Sequence, residues 1–306
     1  MKVNSNVKKY LDNILQIQSI SSYYILFSDN KRYYYKEISY YLKDILDYFN
    51  LINFHFSLPL ISSLNDPFLL FEYDESKDYS TLEISSSMIH HLSLLHEKSM
   101  DYVVYTEEKK RELYDKNFYL ICSRIKYFEE LEKTILEYDF PPPKYYLLLK
   151  NISKIYRLLN FSLNKLDEWY EADDSKERIS FLVEDVSLKN YSYKYSSFYD
   201  YGSLKKDIFL YDFVSFYQNE YYRCDMNQLF YLYQKNVTFS RSELSLFYSL
   251  ISIPFTVSFT KHSFADTIRV RELVDYVDST ELFLSKEYKK NQEANKEVFK
   301  EENNDV

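Results

Sequence analysis

Lys36 closes the run RYYYK, Asp185 and Asn190 stand in LVEDVSLKN, and Asp200 opens DYG. In that order they supply what phosphoryl transfer from ATP asks of a protein. A strand lysine contacts the α- and β-phosphates, an aspartate orients or deprotonates an acceptor hydroxyl, and an amide and a second carboxylate hold Mg²⁺. Asp185 is thus the candidate catalytic group, Asn190 and Asp200 the candidate metal ligands, and Lys36 the candidate nucleotide contact. Two residues beyond Asp200 lies Gly202, the only glycine in 306 residues. A chain that makes every other turn without glycine needs one here, where a Cβ would obstruct the backbone.

The elements that would carry these residues can be read from periodicity. Three β-rich runs, Tyr23 to Phe27, Arg32 to Glu37 and Pro67 to Tyr73, stand near the start, and Ser28-Asp29-Asn30-Lys31 joins the first two as a hairpin. Between the second and third, Leu42, Ile45, Leu46 and Phe49 recur at helical spacing. Asp44 and Asp47, the acids available to pair with Lys36, fall opposite that apolar stripe. From Thr81 the pattern is helical: Leu82 to Met100, Glu107 to Tyr138 and, after the stop signal Pro141-Pro142-Pro143, Tyr145 to Ala172. A β-like island, Ile179 to Val183 and Ser197 to Tyr199, precedes helices over Phe209 to Gln234, Arg241 to Ile251 and Asp266 to Val277. The expected organisation is α+β and two-lobed: residues 1–75 as a β-rich lobe with one helix, 76–285 as a helical lobe with the catalytic-type loop, and 286–306 as a charged tail, a frayed helix or disordered.

A net charge of −9 weighs against a surface built to neutralise nucleic-acid phosphates, and no apolar run is long enough to span a membrane. The N-terminus lacks a signal-peptide apolar core, so a cytoplasmic location is expected. Cys122 and Cys224 have neither metal-ligand spacing nor a disulfide framework around them. Tyrosine clusters such as Tyr33-Tyr34-Tyr35 read as packing, and His90-His91, lacking a partner at metal spacing, as partly exposed helix surface.

EDVSLKN followed by DYGSLKKDIFLYDF resembles the aminoglycoside and choline phosphotransferase branch of the kinase superfamily, which has an H-G-D-x-x-x-x-N loop, a D-x-G motif and a further Asp at the next helix start. The resemblance implies a protein-kinase-like fold, Mg-ATP as donor, Gly202 at a sharp turn behind a metal ligand, and Asp212 as a structural acid that hydrogen-bonds the catalytic loop. HHLSLLHEKS is similar to the family's Leu-His helix end, which puts His96 at that histidine as a packed residue. LFYLYQKNVTFSRSELSLFYSLISIPFTVSF resembles the bacterial spore coat protein S group. Val183 and Glu184 replace the family's His-Gly, and IQSISSY, with Ser19, Ser21 and Ser22, replaces its glycine-bearing phosphate loop. Two functions follow as expectations: a phosphotransferase acting on the hydroxyl of a small molecule, or a pseudokinase scaffold with a protein partner, in a coat-type assembly if that resemblance extends to function.

Overall fold

The computed structural model describes residues 5–11, 13–20, 23–39, 42–55, 57–74, 78–172, 176–183, 185–201, 205–260 and 263–304. The organisation is α+β, and the chain divides into two compact units. The first comprises 1–102, 178–220 and 231–237; the second comprises 103–177, 221–230 and 238–306.

The first unit opens with an antiparallel sheet of β1 (Gln16–Ile20), β2 (Tyr23–Ser28), β3 (Lys31–Glu37) and β4 (Phe68–Glu72), ordered as numbered. The β2–β3 hairpin turns on Asp29 and Asn30, with φ of 49° and 61°. Positive φ at both central residues matches the right-handed twist of the flanking strands, and Asp and Asn tolerate it best among residues with a Cβ. Alternation along β3 sends Tyr35 to one face, where it joins Leu26, Phe68 and Leu70 in a core closed by Val7 and Leu11. Tyr34 and Lys36 take the opposite face. The helix α1 (Leu42–Leu51) links β3 to β4 and buries Leu42, Ile45 and Phe49. Next comes α2 (Thr81–Ser99), started by a capping box in which Ser80 and Glu83 satisfy each other's backbone N–H.

After β5 (Asp101–Val104), the second unit is built around α3 (Glu107–Leu136) and α4 (Pro143–Glu171), with Pro143 in the first helical turn, where its missing N–H costs nothing. The strand β6 (Lys176–Phe181) leads back to the first unit, followed by the pair β7 (Tyr191–Ser192) and β8 (Ser197–Phe198) and by β9 (Lys206–Ile208), antiparallel to β6. Four helices complete the chain: α5 (Leu210–Glu220), α6 (Met226–Gln234), α7 (Arg241–Ile251) and α8 (Ser263–Asn304). Within the second unit α4 packs against α3, α7 and α8.

One expectation is corrected here. The helix expected over Phe209 to Gln234 is two helices, because the Asp225 carboxylate accepts the N–H groups of Asn227 and Gln228 and so starts α6 afresh. Of the two readings of the charged segment from 286, the helical one matches α8, which runs to Asn304 in keeping with the helix propensity of its Glu, Lys and Gln residues.

Candidate active site

Lys36 lies near the end of β3, opposite Leu69, and its ammonium hydrogen-bonds the Asp200 carboxylate. Asp200 is nearly buried, so this pair is shielded from the screening that weakens surface ion pairs. Asp44 and Asp47 are exposed on α1; the acid that holds Lys36 is the candidate metal ligand itself.

Asn190 ties the rest together. Its side-chain amide donates to the backbone carbonyls of Asp185, at 2.8 Å, and Asp200, at 3.2 Å. Its Oδ1 is buried and accepts from no donor among the described residues. An orphaned buried acceptor costs about 1–3 kcal/mol unless something fills it. A cation is a fitting partner, since the amide oxygen and the Asp200 carboxylate are both hard oxygen ligands. Among the described residues no cluster of three or more His, Cys, Asp or Glu forms. A magnesium site needs none, because that ion commonly takes one or two protein ligands and completes its shell with phosphates and water. Lys36, Asp185, Asn190 and Asp200 are thus brought together.

The loop carrying Asp185 is braced from α5. Asp212, in the first turn of that helix, accepts the Val183 N–H at 2.7 Å and faces His96 Nε2 at 3.2 Å. The other ring nitrogen of His96 meets the Tyr233 hydroxyl. Glu220 accepts the Leu188 N–H and Asn219 donates to the Val186 carbonyl. Val183, standing where the resemblance has histidine, is buried.

Other site expectations fare differently. Ser19 is exposed on β1 opposite Tyr24, because the stretch read as a phosphate-covering loop pairs with β2 as a strand. Ser21, Ser22, Glu184 and Gly202 lie outside the described residues. His90 is exposed and His91 partly so, as expected, and the His91 ring packs among Phe54, Tyr191 and Phe198 while Nε2 meets the Tyr201 hydroxyl at 2.8 Å. Burial, then the neighbouring His90 and His55, push the imidazole down to about 3.

Sequence reasoning missed an aromatic wall beside this cluster. Tyr34, on the Lys36 face of β3, stacks on Tyr23 at 4.7 Å and on Tyr199 at 5.1 Å. Tyr73 lies 5.3 Å from Tyr199. The Tyr199 hydroxyl accepts the Asp74 N–H at 2.7 Å and donates to the Asp74 carbonyl at 3.1 Å. Burial raises the Tyr199 phenol above its ordinary value, so the donated proton stays in place. The available signal was position: Tyr34 is two residues before Lys36, and Tyr199 directly precedes Asp200.

No family model matches the sequence, and no curated protein does. Solved structures do match. An aminoglycoside phosphotransferase from Alicyclobacillus acidocaldarius superposes with a TM-score of 0.63 at 13% identity, over 94% of this chain and 95% of that one. The fold is that of the aminoglycoside phosphotransferases. Spectinomycin phosphotransferase APH(9)-Ia in its AMP-bound complex gives 0.56 at 15% identity, over 90% of this chain and 95% of its own. The same enzyme with ADP and spectinomycin gives 0.54 at 13% identity, over 90% and 96%. The aminoglycoside phosphotransferase fold therefore accounts for nearly the whole chain, from the β1–β4 sheet to the helices of the second unit.

Proposed function

We propose that the chain is a metal-dependent phosphotransferase acting on a hydroxyl of a small molecule. The observation that carries this reading is the unpartnered, buried Oδ1 of Asn190, whose amide nitrogen holds the backbone of the same Asp200 that pairs with Lys36 through its carboxylate. Lys36 supplies ammonium donors to phosphate oxygens. Asp185, half-buried with its backbone fixed through Val183 and Asn190, accepts the proton of the acceptor hydroxyl as the acceptor oxygen bonds to phosphorus and the leaving phosphate departs. Magnesium, held by Asn190 Oδ1 and Asp200, would neutralise charge on the phosphates. The solved relatives crystallised with AMP, and with ADP and spectinomycin, favour a nucleotide donor and a small-molecule acceptor here too. Net charge of −9 suits a cationic acceptor such as an amino sugar or amino alcohol.

The reading is tested by calorimetric titration of Mg²⁺ with inorganic tripolyphosphate into wild type and Asp200→Ala, followed by phosphoryl transfer assays with Asp185→Ala as control. Metal-dependent binding lost in Asp200→Ala, and turnover lost in Asp185→Ala, are the expected results. A folded wild-type protein that binds no phosphate compound overturns the reading.

One observation favours a second reading, a catalytically impaired scaffold for a protein partner: the buried Val183 stands where the resemblance has the histidine that braces the catalytic loop. The spore-coat resemblance would place such a scaffold in a coat assembly. Capture of one stoichiometric partner without turnover supports it, and Asp185-dependent turnover excludes it.

A further inference from the structure

The phosphate site fixes where the remainder of a nucleotide must go. With polyphosphate at Lys36 and the transferred group toward Asp185, the base would lie within reach of the residues that neighbour Lys36 on β3 and Asp200 on its loop. Those residues are Tyr34 and Tyr199. A base in such a place needs a flat face to stack on and a backbone donor and acceptor to fix its edge. The structure offers both, and both are taken.

Tyr34 presents the face, and the Tyr199 ring lies on it at 5.1 Å with only 11° between the planes. Tyr34 also stacks on Tyr23, at 4.7 Å. Asp74 presents the donor and acceptor, and one hydroxyl, that of Tyr199, satisfies the pair. A base slipped between Tyr34 and Tyr199 would need their rings roughly 7 Å apart, twice the van der Waals separation of stacked carbons. We propose that Tyr199 is a built-in surrogate for the nucleobase: its ring takes the stacking face and its hydroxyl takes the edge contacts, so that a nucleotide binds only by displacing it. This rests on the phosphate site read above and adds the residue that decides whether the donor carries a base. Inorganic polyphosphates, which have no base to place, do not meet this competition.

The competition has a measurable form, because a site available for only part of the time lowers apparent affinity by that fraction. Mg-ATP and Mg-tripolyphosphate are titrated calorimetrically into wild type, Tyr199→Ala and Tyr199→Phe, with folding checked by circular dichroism. Tyr199→Ala is expected to bind Mg-ATP at least about tenfold more tightly than wild type and Mg-tripolyphosphate with the same affinity. Tyr199→Phe keeps the stack but frees Asp74, and an intermediate gain of about fivefold is expected. If Tyr199→Ala fails to fold, the Phe variant decides. Equal or weaker ATP binding in the folded variants overturns the proposal, as does a matching gain for tripolyphosphate, which would show an effect unrelated to the base. Absence of tripolyphosphate binding in every protein identifies a different failure, that of the phosphate site itself, and the surrogate falls with it.

Discussion

At His91, burial among Phe54, Tyr191 and Phe198 keeps the imidazole neutral down to about pH 3, whereas in the unfolded chain it gains a proton near its ordinary value of 6.5. Below that value the unfolded state binds more protons, so the contribution of His91 to stability is present at neutral pH. It is lost as pH falls from 6.5 toward 3. Urea unfolding between pH 7 and 4 should show this as a slope of up to about 1.4 kcal/mol per pH unit, flattened in His91→Gln. His96 is a different case, fully buried and engaged at both nitrogens. His96→Leu deprives two buried oxygens of a partner, and a loss of about 1–3 kcal/mol is expected in the same measurement. The acids and amide of the site were legible in the sequence because phosphoryl transfer prescribes their order and spacing. Tyr199 was not, because in a chain with 35 tyrosines a phenol that packs and one that stands in for a ligand look alike.

Among the elements, α4 and α8 of the second unit are joined by a buried ion pair between Lys144 and Asp266 at 2.6 Å. Asp266 also accepts the Thr260 N–H and hydroxyl. The Lys144 hydrogen bond, followed by those from Thr260, holds the Asp266 carboxyl at about 2 against burial, which acts the other way. A carboxylate depressed in this way stabilises the fold above its ordinary value near 3.8, and that support is lost as pH falls toward 2. Acid unfolding should therefore begin at higher pH in Lys144→Met than in wild type, as followed by circular dichroism. At the start of α7 the reciprocal bonds of Ser240 and Glu243 predict that Ser240→Ala costs about 1 kcal/mol. The sequence specified α7 to the residue, since a cap, an early Glu and an apolar run coincide there. It misjudged α5 and α6 because both are apolar on their buried faces, and only the side-chain bonds of Asp225 reveal the break. Similarly, β1 looked like part of a loop because Ser19 lacks strand propensity and two more serines follow it, and its partner β2 supplies what propensity does not.

For the whole molecule, ligand binding and stability are linked. At a hundredfold excess over its Kd, Mg-tripolyphosphate should stabilise wild type by about 2.7 kcal/mol and leave Asp200→Ala unmoved, read as a shift in thermal unfolding. The α+β organisation was legible from periodicity alone. A division into two was legible too, whereas the gathering of 1–102 with 178–220 and 231–237 in one unit was not, because local patterns carry no record of such returns. One further consequence belongs to a chain so short of glycine. Asp29, Asn30, Asn53 and Ser196 all adopt positive φ, and Ser196, at 46°, lacks the carboxylate or amide that eases this conformation in the other three. That left-handed turn therefore carries a residue ill suited to it. A single codon change to glycine at 196 should release about 1 kcal/mol of latent stability, giving directed evolution a foothold before it touches the site.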